Sequence, residues 1–182
     1  MLNQGSVKKT GTGNACNWDK VNRENHPINC VSWNDLTRFA KWVGARLPSE
    51  AELEFAARGG EDYQYAGSNH LDEVRWYSSN AGQSTYPVGQ KKANGYGLCD
   101  LSGNVWEWTA DTWHKNYKGA PNNGSAWCEV SDCMTNTSHH RRVARGGDWN
   151  DYEGGLRVAF RYYNSPAFRS SCSGGRLARS VR

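Results

Sequence analysis

A chain of 182 residues carrying a net charge of +4 is long enough for one well-cored domain and too short for two comfortable ones. Nine Trp, nine Tyr and 20 Gly, with a mean hydropathy of −0.86, exclude a helical bundle and point to a loop-rich, aromatic-cored fold. No apolar run approaches the ~20 residues of a membrane span, Met1 to Gly5 lacks the regions of a signal peptide, and six Cys without a Cys-x-x-Cys motif exclude zinc-type spacing and a dense disulfide scaffold.

Residues 1 to 15 are polar and Gly-rich, have nothing to bury, and read as a tail preceding a domain over 16 to 182. Cys16 and Cys30 bracket one short loop, and Cys128 and Cys133 another; each pair is either a disulfide or two free thiols. From Asn34 as N-cap, Leu36, Phe39, Ala40 and Val43 recur at helical steps until Gly44. A second helix lies within Leu47 to Gly60, with Ser49 and Glu52 as a capping box and Gly59-Gly60 as its left-handed end. Beyond Gly60 no helical period remains. Short aromatic strands are expected at 74–77, 105–109 and 157–161, separated by Gly, Asn and Asp turns. Residues 114 to 140 form a polar insertion ending in His139-His140, which reads as a solvated loop. The fold class is α+β: two helices against small, twisted, largely antiparallel sheets with long loops.

The last third reads as two interleaved sequences. One is a framework of Gly146-Gly147, Trp149, Leu156-Arg157, Ala159, Arg161, Pro166, Arg169 and Arg176-Leu177-Ala178. The other is Asp148, Asn150, Asp151, Tyr152, Phe160, Tyr162, Tyr163, Asn164, Ser165, Phe168, Ser170, Ser171 and Cys172. Tyr, Phe, Ser, Asn and Asp are the vocabulary of an adaptable binding surface, since aromatics give area at low rotamer entropy and short polar groups give flexible hydrogen bonds. A catalytic site would show convergent His, Cys, Lys or acidic groups instead. Among these residues Tyr152, Phe160, Tyr162, Tyr163 and Phe168 are the expected binding anchors. Trp106, Trp108 and Trp149 are expected in the core. The Arg residues of the segment sit at framework spacing and read as structural forks rather than a nucleic-acid patch.

Val31-Ser32-Trp33, Arg46-Leu47-Pro48-Ser49-Glu50-Ala51-Glu52, Gly103-Asn104-Val105-Trp106-Glu107-Trp108-Thr109, Arg145-Gly146-Gly147-Asp148-Trp149 and Gly174-Gly175-Arg176-Leu177-Ala178 occur in this order. With these motifs the chain resembles the formylglycine-generating-enzyme (sulfatase-modifying factor) domain, from about Pro27 onward. The resemblance implies a variant of the C-type-lectin-like fold. The family's usual opening segment is missing, which reads as an abbreviated domain or a truncated chain. Catalytic members use a Cys pair just after Gly-Gly-x-Trp to bind copper and oxidise a substrate thiol. Here residues 147 to 156 contain no Cys, so the thiolate ligands a soft Cu(I) needs are lacking.

The terminal segment is most similar to the variable region of diversity-generating retroelement proteins, in which adenines, chiefly of Asn codons, are randomised between fixed residues. That pattern is Arg-Gly-Gly-x-Trp, Leu-Arg-x-Ala-x-Arg, a Pro, an Arg and a closing Gly-x-Arg-Leu-Ala, and every part is present. One departure is Gly175, where Phe is usual; it is expected to loosen the packing of the last strand. Randomising both adenines of an AAC codon cannot yield Lys, Glu, Gln, Met or Trp, and none occurs at the variable-looking positions. The resemblance implies a non-catalytic protein displaying hypervariable residues, its partner a protein or cell-surface ligand, its place a cell or virus surface. The alternative is an enzyme or accessory domain of the formylglycine type with displaced catalytic residues. No cofactor is required on the first reading. Asn104 and Glu107 match a calcium site of some family members, where loop oxygens hold the ion; otherwise Asn104 caps a turn and Glu107 pairs with an Arg.

Overall fold

The computed structural model describes residues 15–129, 133 and 140–180. Helix α1 (Trp33–Trp42) starts at Ser32, not at Asn34: the Ser32 hydroxyl accepts from Asp35 N–H, and Asp35 reaches back to the Ser32 N–H. A Ser-x-x-Asp box therefore outcompetes a lone Asn as the start signal. Helix α2 (Glu50–Arg58) begins at Ser49, with its reciprocal bond to Glu52, and ends at Gly59 in the left-handed region (φ 62°), as the sequence predicts. A third helix, α3 (Leu71–Val74), is a single turn, too short to show a period.

Four strands form one mixed sheet: β1 (Trp106–Thr112), β2 (Arg142–Arg145), β3 (Tyr162–Asn164) and β4 (Ser173–Gly174), in the order β3-β2-β1-β4. The β1–β2 and β2–β3 pairs are antiparallel, and β1–β4 is parallel. Of the three expected strands, only that around 105–109 is one. Val74 closes α3 and 75–77 run as irregular chain. Residues 157–161 form a turn, closed by Phe160 N–H to the Arg157 carbonyl, after a 3-10 turn at Glu153–Leu156, so the strand begins only at Tyr162.

The main core joins α1 to the sheet through Val31, Trp33, Leu36, Leu47, Trp106, Trp108, Ala110 and Ala144. Two of its indoles also satisfy backbone: Trp33 Nε1 donates to the Thr109 carbonyl (2.8 Å) and Trp108 Nε1 to that of Val31 (3.2 Å). Smaller clusters centre on Leu53, Ala57 and Leu101, and on Tyr65, Val74, Tyr77 and Leu156. At Gly174 a Cβ would meet the Ile28 carbonyl at 2.6 Å, so the parallel β1–β4 contact needs glycine there. The expected looseness at Gly175 is not found: a Cβ there would meet Leu36 Cδ1 at 2.4 Å, so Leu36 fills the space.

Disulfides join Cys16 to Cys30 and Cys128 to Cys133, while Cys99 and Cys172 are free. Among the described residues no helix is long and apolar enough to cross a membrane. The tail at 1–14 and His139 lie outside the described residues. His140 is described, and its Nδ1 lies 2.8 Å from Glu129 Oε2.

Candidate ligand-binding face

Three stretches of the variable-looking set meet around one residue of β1, Trp106, which is itself buried. Its ring lies 6.0 Å from Phe160 and 5.0 Å from Tyr162. Its indole N–H is shared by the Asp148 and Asp151 carboxylates. Its backbone N–H donates to the Cys172 carbonyl at 2.8 Å. Segments 148–152, 160–163 and 170–172 are thus brought together on one side of the sheet, as a binding reading needs.

The residues divide by depth. Tyr152 (82 % exposed), Tyr162 (41 %) and Phe168 (39 %) project outward, with Asn150 and Ser165 also exposed. Tyr163, Asn164, Ser170, Ser171, Asp151 and Phe160 are half-buried. Asp148 stands apart: it is 5 % exposed, its Oδ1 accepts the Asn150 N–H (2.6 Å), and its own N–H donates to Asp151 Oδ2 (3.0 Å). It supports its loop from within. Cys172 is half-buried against the main core. Of the tryptophans, Trp106 and Trp108 are buried and Trp149 only partly so.

Burial pushes the Asp151 carboxyl up to about 6, with repulsion from Asp148 adding to it. Burial likewise raises Asp148, against the bonds it receives from Cys172 and the Asn150 N–H. The Cys172 thiol is held far above its ordinary value by burial and the facing Asp148 charge. A thiol in that state is a poor nucleophile and a poor metal ligand, because the thiolate is the reactive form. With no second Cys after Gly147, these residues do not fit a copper ion.

What holds the loops is mostly main chain. The carbonyls of Pro166, Ser170, Ser171 and Cys172 accept from Asn34 N–H, Cys30 N–H, Asn29 Nδ2 and Trp106 N–H respectively. Trp149 Nε1 also donates to the Ser171 carbonyl, at 3.3 Å. Backbone acceptors are present whatever side chain the residue carries, so such a scaffold tolerates change at these positions. The arginines add to it. Arg169 grips Asp35 through two 2.8 Å bonds, Arg161 grips Glu50 at 2.5 and 2.7 Å, and buried Arg145 bonds both Glu54 and the Phe160 carbonyl. Arg157 differs: it is exposed and bonds only its own turn, at the Gly154 carbonyl.

The calcium expectation shifts. Asn104 is engaged in a reciprocal pair with the Tyr86 backbone, its Oδ1 accepting (3.1 Å) and its Nδ2 donating (3.1 Å), and it occupies a turn at φ 66°. Glu107 bonds Arg176 at 3.0–3.2 Å. The turn-cap and ion-pair roles are therefore the observed ones. Nearby Asp100, whose repulsion adds to burial in raising Glu107, keeps its Oδ1 shut from solvent with no partner. Arg176 faces both charges, and among the described residues no group of three or more His, Cys, Asp or Glu side chains is placed to hold a metal ion.

Together these features define a lectin-like α+β scaffold that fixes the main chain of a convergent terminal face and leaves many of its side chains outward. The chain belongs to the Sulfatase-modifying factor enzyme 1-like domain family, whose model matches residues 3–181. It is 37 % identical over 176 residues to the formylglycine-generating enzyme of Thermomonospora curvata, covering 87 % of this chain and 57 % of that one. The chain thus spans about half the length of the curated relatives it matches. Among solved structures it is similar to PvdO from Pseudomonas aeruginosa (TM-score 0.75, 32 % identity, 86 % of this chain and 63 % of that one). It is also similar to Treponema denticola variable protein 1 (TM-score 0.70, 25 % identity, 92 % and 78 %). The fold is the C-type-lectin-like fold of the formylglycine-generating subtype.

Proposed function

We propose that this protein is a non-catalytic ligand-binding member of its family, whose terminal segment displays diversified residues on a fixed scaffold. The observation that carries the reading is the convergence of segments 148–152, 160–163 and 170–172 on Trp106, held by backbone acceptors and framework arginines. Tyr152, Tyr162 and Phe168 are its anchors, with Tyr163 and Phe160 behind them. Large aromatics flanked by Ser and Asn supply contact area and adaptable bonds without any reaction to perform. The likeness to a variable protein supports this reading, and the lack of a Cys pair with the high thiol of Cys172 argues against thiol oxidation. The partner is a protein or cell-surface ligand, met at a cell or virus surface.

The family's named enzymes favour the competing reading, and two measurements separate them. Sequencing the 3′ end of the gene across many individuals should find substitutions confined to the variable-looking positions, beside a near-copy carrying adenines there. Incubating the protein with copper and a sulfatase-type Cys peptide should leave the thiol unoxidised. Substitutions scattered evenly, or an aldehyde product, would sink the proposal.

A further inference from the structure

Beside the Trp106 face, and joined to it where the Tyr162 and Tyr163 rings stack at 6.2 Å, runs a second stack of rings and cations. Arg141 lies over the Tyr163 ring (4.7 Å), Tyr163 against Trp113 (4.4 Å), and Arg161 over both Trp113 (4.5 Å) and Tyr117 (4.3 Å). Only Tyr163 belongs to the variable-looking set; Trp113, Tyr117 and Arg141 lie outside residues 145–178. The charge of Arg161 is matched by Glu50, which also accepts from the Tyr117 hydroxyl at 3.1 Å. Arg141, Lys115 and Lys118 are exposed, and among the described residues none has an acidic partner within ion-pair distance. The ladder is therefore an aromatic surface with a net positive rim. It abuts β3, the edge strand of the sheet, beyond which no further strand lies among the described residues.

We infer that Trp113, Tyr117, Arg161 and the main-chain edge of β3 form a constant subsite for an extended acidic polypeptide, laid alongside β3 with its carboxylates on Arg141, Lys115 and Lys118. This deepens the binding reading above and rests on it. An edge strand offers main-chain donors and acceptors that an extended peptide completes, while alternate side chains supply the specificity. Positive charge beside aromatic faces selects acidic groups and steers their approach. A sulfated glycan would satisfy the charge but not the strand edge, which is why the polypeptide is favoured. The constant subsite supplies affinity common to all ligands, and the Trp106 face discriminates among them.

The test measures fluorescence anisotropy of a labelled alternating Glu–Val decapeptide with the full chain, against a Lys–Val decapeptide, an N-methylated Glu–Val decapeptide and a heparin oligosaccharide. The Glu–Val peptide should bind, and weaken by about tenfold or more from low to high salt. The triple variant K115E/K118E/R141E, altered only at exposed positions and checked by circular dichroism, should prefer the Lys–Val peptide. Methylating alternate amides should remove most of the binding. Heparin binding without peptide binding, equal binding by wild type and triple variant, or indifference to N-methylation would each overturn the inference. If peptide binding fails while gene variation remains confined to the terminal face, only the ligand class falls. Even variation with intact peptide binding would instead retire the diversified reading alone.

Discussion

Asp151 is the residue at which the chemistry of the face can be read most directly. Its carboxyl is pushed up to about 6 by burial and the Asp148 charge, and Asp111, between the N–H groups of Glu50 and Trp127, is pushed to a similar value by burial. A raised carboxyl is charged at a cost in the folded state. Its contribution to stability is therefore fully present below the unfolded value near 3.8 and is lost as pH rises through about 6. His26 opposes this, because burial lowers its folded value, so its contribution falls as pH drops through its unfolded 6.5. Urea unfolding between pH 7.5 and 5 isolates the first effect when Asp151→Asn is compared with wild type. The variant should lose part of the gain that wild type shows on acidification; an identical pH slope in both would place Asp151 in free solvent.

At the scale of elements, the N-terminal loop is closed by the Cys16–Cys30 disulfide, with a sequence separation of 14. Cross-linking a loop of that length stabilises by about 3 kcal/mol, mainly by constraining the unfolded chain. The Cys16→Ser/Cys30→Ser variant should lose about that much in denaturant unfolding, and reducing agent should cost wild type about that much more than it costs the variant, which keeps only Cys128–Cys133; equal stability of the two would dissolve the bridge. Both main helices were legible because their signals are local: Ser49, Glu52 and Gly59 lie within eleven residues. The strands were not. Every residue of β1 and β2 is buried, so neither shows the alternation that marks a half-exposed strand. β4 is two residues long and exists because Gly174 lets it approach Ile28, a contact no sequence window contains. The positions of the proposed face can be listed from the sequence, but which of them lie inward and which outward cannot. Whether Asp148 faces inward or Tyr152 outward depends on where the loop turns over Trp106, and only long-range packing decides that.

The whole molecule separates what is held from what is shown. The terminal segment is tied to the opening one by backbone: Arg46 and Ala178 exchange N–H to carbonyl bonds of 3.0 and 2.8 Å, and Cys30 N–H reaches the Ser170 carbonyl at 2.9 Å. Asn29 is the side chain on which this closure turns. Fully buried, it accepts from Asn17 N–H and donates to the Ala15 and Ser171 carbonyls. On the proposed reading, a face whose residues vary leaves the stability to such groups and holds little of it itself. The quintuple variant of Asn150, Tyr152, Tyr162, Ser165 and Phe168 to Ala should therefore melt within a few degrees of wild type, since exposed substitutions usually stay within about 0.5 kcal/mol each. Asn29→Ala alone should cost about 2–3 kcal/mol, because it strands the buried Asn17 N–H and takes the partner from two part-buried carbonyls at once. Scanning calorimetry of the two variants reads the comparison. A quintuple variant less stable than Asn29→Ala would mean that the outward aromatics are core residues, and that the face holds the fold together rather than being held by it.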